Sequence, residues 1–90
     1  RIRKISPDGL VTTLAGSGQA GYKDGHGRHA AFYNPCGIAI DYVSNDTLFV
    51  SDYSNNCVRV VSSRSGLVST LARDLEDAHV SAPAAEAGAG

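Results

Sequence analysis

The sequence predicts an all-β fold made of repeated antiparallel units. The phrase "LVTTLA" at 10–15 returns as "LVSTLA" at 67–72, and each copy directly follows a glycine. Short runs rich in β-branched residues alternate with turn-forming residues at intervals of about ten residues or fewer. Self-similarity at a fixed spacing indicates a repeat architecture, in which one unit needs stacked neighbours to bury its hydrophobic face.

Four predicted strands accompany the second copy of the phrase. They are "CGIAI" (36–40), "TLFVSDY" (47–53), "CVRVV" (57–61) and "LVSTLA" (67–72). Short turns between consecutive strands predict an antiparallel meander, and four such strands in a long repeat predict a blade of a β-propeller. The first copy has only the last two strands, "IRKI" and "LVTTL", joined by "SPDG", whose Pro and Gly suit a type I turn. A two-layer sandwich explains the repeated phrase less well.

The pattern divides the chain into four segments. Residues 1–15 are the outer two strands of a preceding blade, 16–36 a Gly-rich inter-blade connection, 37–72 one four-stranded blade, and 73–90 a low-complexity tail or linker rich in alanine. Repeat arrays generally need about three units for stability, and this chain carries about one and a half. We therefore expect the remaining blades of the same propeller, or self-association, to cover its exposed faces.

The order of glycine, proline and acidic positions resembles the NHL-repeat β-propellers. The stretch "DGHGRHAAFYNPCGIAID" (24–41) is similar to the family pattern D-G-x-G-x-x-A-x-F-x-x-P-x-G-I-A-[VI]-D, and "LFVSDYSNNCVRVV" (48–61) and "GLVSTLAR" (66–73) resemble its continuation. The resemblance implies a fragment of an NHL-type propeller with four-stranded antiparallel blades. The structural positions that it implies are Asp24, Gly25, Phe32, Pro35, Gly37, Asp41, Asp52, Asn55 and Arg59. The family includes protein-binding scaffolds, RNA-binding propellers and a zinc-dependent lyase, so function stays open.

Three of these positions have a physical interpretation of their own. Asp52 and Asn55 flank the predicted turn between the second and third strands, where short polar side chains bond nearby backbone N–H groups. We expect Arg59 to pair with such a carboxylate or to face a neighbouring blade. As polar residues within strands, Arg59 and Ser69 are predicted to lie closer to a rim than the apolar run 48–50.

The Gly-rich connection is the predicted contact surface. Its spacing matches neither the P-loop nor the dinucleotide-binding fingerprint. We expect its glycines to permit positive φ, and "HAAF" (29–32) to form a short helical turn that pins Phe32. Loops held by a rigid scaffold are free to carry recognition. The candidate binding residues are therefore Tyr22, Lys23, His26, Arg28 and His29.

Neither a metal nor another cofactor is predicted. Asp24, His26, His29 and Cys36 have side chains of types that bind zinc, but they offer one His-x-x-His pair on a loop with no helix to orient it. Nor does the sequence contain a G-x-S-x-G nucleophile elbow, so catalysis by this segment is not expected.

The two cysteines are predicted to be free thiols. Cys36 and Cys57 open the first and third strands, so their Cα atoms should lie about 9–10 Å apart, beyond the reach of about 7 Å for a disulfide. Free thiols are compatible with a reducing compartment, which slightly favours the cytoplasm.

Composition and charge limit the classes of partner that the chain is expected to bind. The formal net charge is −1, which argues against strong general attraction to nucleic acid or anionic membranes, and no apolar run approaches the length of about 20 residues that a membrane span needs. The leading function is a non-catalytic scaffold that binds a protein partner. The alternatives are an RNA-binding rim and part of a metal-dependent, lyase-like enzyme. The candidate RNA-binding residues are Arg1, Arg3, Lys4, Lys23, Arg28, Tyr22 and Tyr33.

Overall fold

The computed structural model describes residues 1–73, which contain seven strands and two single-turn 3-10 helices. The strands are β1 (Ile2–Ile5), β2 (Val11–Ala15), β3 (Gly25–His26), β4 (Pro35–Ile40), β5 (Thr47–Asp52), β6 (Cys57–Ser62) and β7 (Leu67–Arg73). The 3-10 turns cover Gly27–His29 and Tyr53–Asn55. This confirms the all-β prediction. Within this range no helix has the length and apolar character needed to cross a membrane. Apart from Arg73, the predicted low-complexity tail (73–90) lies outside the described residues.

The strands form two antiparallel sheets. One is the β1–β2 hairpin, and the other has five strands in the order β3-β7-β6-β5-β4. The meander β4 to β7 begins and ends within one residue of the predicted bounds. The sequence did not predict β3, which pairs Gly25 with Val68 and His26 with Leu67. A two-residue strand of glycine and histidine shows no alternation, so it left no periodic signal.

The repeated phrase corresponds to a repeated hairpin geometry. In β1–β2, Ile2 pairs with Ala15 and Arg3 with Thr13, and the register shifts between Ile2 and Arg3. In β6–β7, Val58 pairs with Ala72 and Arg59 with Thr70, and the register shifts at the equivalent step. The two hairpins therefore share both register and bulge. Leu14 and Leu71 occupy the same bulged position in the two copies.

Both hairpin turns end on a glycine with positive φ, which costs glycine little because it has no Cβ. The φ angle is 91° at Gly9 and 77° at Gly66. Gly66 also lies close to the first hairpin, since a Cβ placed there would be 2.5 Å from the carbonyl oxygen of Leu14. The second glycine thus fixes the turn and allows the two sheets to approach.

Carboxylates stabilise both turns, but they come from different places. In the first turn Ser6 Oγ donates to Asp8 within the turn itself. The longer second turn contains no acid, and Asp46 from the β4–β5 turn accepts hydrogen bonds from Ser63 Oγ at 2.9 Å and the Arg64 N–H at 3.1 Å. The second turn is therefore held by a neighbouring turn.

The core lies between one face of the five-stranded sheet and the hairpin with its connection. Val50, Val61 and Val68 are buried on that face, because alternation along neighbouring strands brings these positions together. The hairpin contributes Ile2 and Ala15, and the connection contributes Ala30 and Phe32.

The helical turn predicted over "HAAF" (29–32) is displaced. The 3-10 turn covers Gly27–His29, and Ala30 has extended backbone angles. Ala30 and Phe32 are buried while Ala31 between them is half-buried. Burial of alternate residues requires an extended chain, so the backbone leaves the helical turn before Phe32 reaches the core.

Candidate functional site

Arg59 is the centre of a buried polar network under the connection. It lies in the middle of β6, and alternation places it on the same face as Cys57 and Val61. Its side chain is fully buried, so the expected position near a rim is wrong. Nη1 donates to Asp52 at 2.8 Å and Nη2 donates to Asp24 at 2.9 Å. Burial of a guanidinium requires such paired carboxylates, because an uncompensated buried charge is costly.

The same guanidinium holds the backbone of the connection. Lys23 and Ala31 form an isolated antiparallel bridge. Nη2 of Arg59 donates to the carbonyl of Lys23 and Nη1 to that of Ala31, both at 2.8 Å. One buried side chain therefore fixes the two ends of the loop that contains four of the five candidate contact residues.

Asp52 and Asn55 do more than shape a turn. Asp52 accepts hydrogen bonds from the Tyr33 N–H and from Asn55 Nδ2, both at 2.7 Å. Asn55 Nδ2 also donates to the carbonyl of Gly21 at 2.9 Å. The left-handed residue of this turn is Asn56, with φ of 52°. Asp52 and Asn55 thus connect the β5–β6 turn to the connection.

Aromatic rings complete the surroundings of Arg59. Its Cζ lies 4.8 Å from the ring centroid of Phe32 and 4.9 Å from that of Tyr22. The Cζ of Arg73 lies 4.3 Å from the Tyr22 centroid. The Thr70 hydroxyl donates to Asp24, so it accepts from the Tyr22 hydroxyl at 2.8 Å. Tyr22, predicted as a contact residue, is thereby engaged within the fold.

The other candidate contact residues project from this fixed backbone. The side chains of Lys23, His26, Arg28 and His29 are exposed. Lys23, Arg28 and His29 line one groove of about 300 Å³ together with Ser17, Gln19, Ala20, Ala30 and Ala31, and we call it the connection groove. His26 does not line it and pairs with Leu67 at the edge of the sheet.

The remaining structural positions lie at turns and close approaches. Pro35 opens β4 opposite Asp52, and a Cβ on Gly37 would be 2.9 Å from Ser51 Oγ. Asp41 accepts a hydrogen bond from the Val43 N–H at 3.0 Å. Gly25 approaches the backbone of His29, since a Cβ there would lie 3.2 Å from its carbonyl oxygen. Each position therefore has a local structural role.

The basic residues proposed for RNA binding are divided between separate cavities. Arg1 and Arg3 line a cleft of about 390 Å³ between the two sheets, together with Cys36 and Ile38. Lys23 and Arg28 line the connection groove instead. Tyr33 is 45% exposed and Tyr22 is 37% exposed, and the Tyr22 ring also lies against two guanidinium groups. The basic and aromatic residues proposed to bind RNA therefore do not all lie on one surface.

The cysteines are free thiols, as predicted, and they differ in exposure. Cys36 is exposed, whereas Cys57 is buried beside Asp52 and Arg59. Burial, followed by the negative charge of Asp52, raises the pKa of the Cys57 thiol. Within residues 1–73, Asp24, His26, His29 and Cys36 are not brought together, and no group of three or more His, Cys, Asp or Glu side chains is placed to hold a metal.

Comparison with known proteins gives one partial relative. No protein-family model matches the chain, and no solved structure matches it. Over 67 residues the chain is 40% identical to Protein SUPPRESSOR OF QUENCHING 1, chloroplastic, from Arabidopsis thaliana. The match covers 73% of this chain and 6% of that protein. The chain therefore spans a small part of this much longer relative.

Proposed function

We propose that the chain is a segment of an NHL-type β-propeller and acts as a non-catalytic scaffold for protein binding. The observation that most directly supports this proposal is the role of Arg59, which is buried and fixes the connection through the carbonyls of Lys23 and Ala31. The exposed side chains of the connection are thereby displayed from an ordered backbone. Recognition surfaces are commonly loops positioned by a rigid framework.

Packing between the two hairpins supports the propeller. Ile2 and Ala15 of the first hairpin are buried in the core against the following sheet, and the half-buried Leu14 packs against this core. Their equivalents in the second hairpin are Val58, Leu71 and Ala72, and none of these is fully buried. Leu71 is 62% exposed. A following unit that packs as the present one does would cover this surface, which is the head-to-tail stacking of a repeat array.

Arg3 gives a second argument for a preceding unit. It occupies in β1 the place that Arg59 occupies in β6. Arg59 has β5 beside it to supply Asp52, whereas β1 pairs within residues 1–73 only with β2. A preceding β5-like strand along this edge would bring the equivalent carboxylate to Arg3.

The relative is compatible with a module inside a longer protein. The matched 67 residues are a small part of Protein SUPPRESSOR OF QUENCHING 1, which exceeds this chain many-fold in length. Sequence similarity confined to one segment supports a shared structural unit. The activity and partners of the whole relative are a separate matter.

A protein partner fits the exposed residues better than RNA does. Single-stranded RNA is bound by aromatic rings available for base stacking along a continuous basic track. Here Tyr22 is engaged by Arg59 and Arg73, and the cations Arg3 and Lys23 line different cavities. The exposed side chains of the connection offer instead a small mixed surface of charge and imidazole.

Site-specific photo-crosslinking in the whole protein tests this proposal. A photoreactive phenylalanine analogue would replace His26 or His29, and the matched control would replace Arg64, whose side chain is 82% exposed on the β6–β7 turn. We expect one protein of defined mass to be crosslinked from positions 26 and 29 and not from 64. Equal products from all three positions, or products that a ribonuclease removes, would overturn the proposal.

A further inference from the structure

The connection groove carries positive charge that the network beneath it does not use. Lys23 and Arg28 are exposed, and within residues 1–73 their side chains make no hydrogen bond or ion pair. The neighbouring Asp24 does not line the groove, and its Oδ1 accepts hydrogen bonds from Arg59 and Thr70. Within residues 1–73, two cations without an ion-paired carboxylate therefore lie around one cavity.

Most main-chain N–H groups of the residues that line this groove are already bonded. The N–H of Ser17 donates to the carbonyl of Ala30, and that of Gln19 donates to Ser17 Oγ. Lys23 and Ala31 exchange both their backbone hydrogen bonds. Tight phosphate sites generally aim several free backbone N–H groups at the anion. The groove thus has cationic side chains but few free N–H groups to form such a cradle.

We propose that the connection groove binds an acidic protein segment, with side-chain carboxylates at Lys23 and Arg28. Arginine recognises a carboxylate through paired N–H donors, and lysine adds a flexible point charge. The opening of about 300 Å³ holds one or two side chains, so the contact reads a short stretch of a longer chain. This inference rests on the proposed scaffold function and specifies its partner.

The backbone beneath the groove supports ordered recognition. Lys23 lies on the bridge that Arg59 binds, and Arg28 lies on the 3-10 turn. The first residue of that turn, Gly27, is held by backbone hydrogen bonds to two parts of the fold. The Gly16 N–H donates to the carbonyl of Gly27, and the Gly27 N–H donates to that of Gly66. An ordered loop loses less conformational freedom on binding than a mobile one, which favours affinity.

Fluorescence anisotropy with a labelled hexaglutamate peptide and the whole protein tests the inference. We expect the Lys23→Gln/Arg28→Gln double variant to bind the peptide about tenfold more weakly than the unchanged protein, at about 50 mM NaCl, because two rim charges are lost. The matched control Arg64→Gln removes an exposed charge elsewhere and should change affinity by less than about twofold. If the double variant lowers the melting temperature, Arg28→Gln alone replaces it, because the Arg28 side chain makes no hydrogen bond or ion pair within residues 1–73. This single variant should also bind the peptide more weakly than the unchanged protein.

Four results would overturn the inference. Equal weakening by Arg64→Gln would show a general charge effect. Displacement of the peptide by inorganic phosphate at equal ionic strength would show a small-anion site. Binding of a uridine oligonucleotide that depends on Lys23 and Arg28, without peptide binding, would indicate RNA. If the double variant binds the peptide as tightly as the unchanged protein while crosslinks from position 26 persist, the groove is not the binding site and the scaffold proposal stands. If peptide binding depends on Lys23 and Arg28 but no protein is crosslinked, the scaffold proposal fails instead.

Discussion

Arg59 and Asp52 form an ion pair of 2.8 Å in which both side chains are fully buried. The second acidic partner of Arg59, Asp24, lies at 2.9 Å with 46% of its side chain exposed. The same guanidinium therefore has one partner shielded from water and one partly solvated. This difference separates the energetic roles of the two carboxylates.

We predict that Asp52→Asn destabilises the protein far more than Asp24→Asn. Removing the buried carboxylate leaves the Arg59 charge without its shielded partner, at a cost of about 3–5 kcal/mol, whereas loss of the partly solvated Asp24 should cost less because water already screens that carboxylate. Urea denaturation of the two variants measures the difference. Equal losses would contradict the division of roles.

The two turn glycines separate backbone strain from packing. Gly9 and Gly66 both have positive φ, but a Cβ on Gly9 has nothing within 4 Å, whereas one on Gly66 would meet Leu14. We predict that Gly9→Ala costs about 1 kcal/mol through φ alone and that Gly66→Ala costs at least about 2 kcal/mol more. Thermal melts of the pair measure this. Similar losses would show that the hairpin does not lie against Gly66.

The ionisation of Asp46 should make the stability of the β6–β7 turn depend on pH. Hydrogen bonds from Ser63, then from the Arg64 N–H and Ser62, hold the pKa of the Asp46 carboxyl below its usual value. A pKa lowered in the folded state contributes stability above the unfolded pKa, and this stability is lost as pH falls through the folded pKa. We predict that Ser63→Ala raises the pKa of Asp46 toward its usual value.

Carboxyl NMR titration would measure that shift. Asp8 serves as the internal control, because the hydrogen bond from Ser6 lowers its pKa independently in the first turn. Its titration should be unchanged in Ser63→Ala. A variant in which Asp46 titrates as before would show that Ser63 does not stabilise the charged carboxylate.

The two thiols should react at very different rates. Cys36 is exposed, whereas Cys57 is buried with its pKa raised by burial, which lowers the fraction of reactive thiolate at neutral pH. We predict that iodoacetamide alkylates Cys36 first and reaches Cys57 only when denaturant opens the sheet. Peptide mass spectrometry follows both sites. Alkylation of Cys57 at the rate of Cys36 in native buffer would contradict its burial.

The sequence predicted local features better than the polar network. The strand bounds and the equivalent hairpins follow from alternation, turn glycines and the repeated phrase, all of which are local signals. The Arg59–Asp24 pair joins residues 35 positions apart, and no local pattern marks it. One signal was available, because alternation between Cys57 and Val61 places Arg59 on the apolar face of β6. Its polar character wrongly suggested a rim position, whereas the expected pairing of Arg59 with a carboxylate of the turn is present in the ion pair with Asp52.

The exposed bulge of the second hairpin should control self-association of the isolated chain. Leu71 is 62% exposed, whereas its equivalent, Leu14, packs against the core, and burying such a side chain contributes about 1.5–3 kcal/mol. We predict that residues 1–90 associate with increasing concentration and that Leu71→Asp suppresses this association. Val43→Asp is the matched control, because Val43 is 96% exposed on the β4–β5 turn, outside the repeated hairpins. Analytical ultracentrifugation measures all three proteins. Equal effects of the two substitutions, or an unchanged chain that is a cooperatively melting monomer at every concentration, would contradict the stacking of repeated units through this surface.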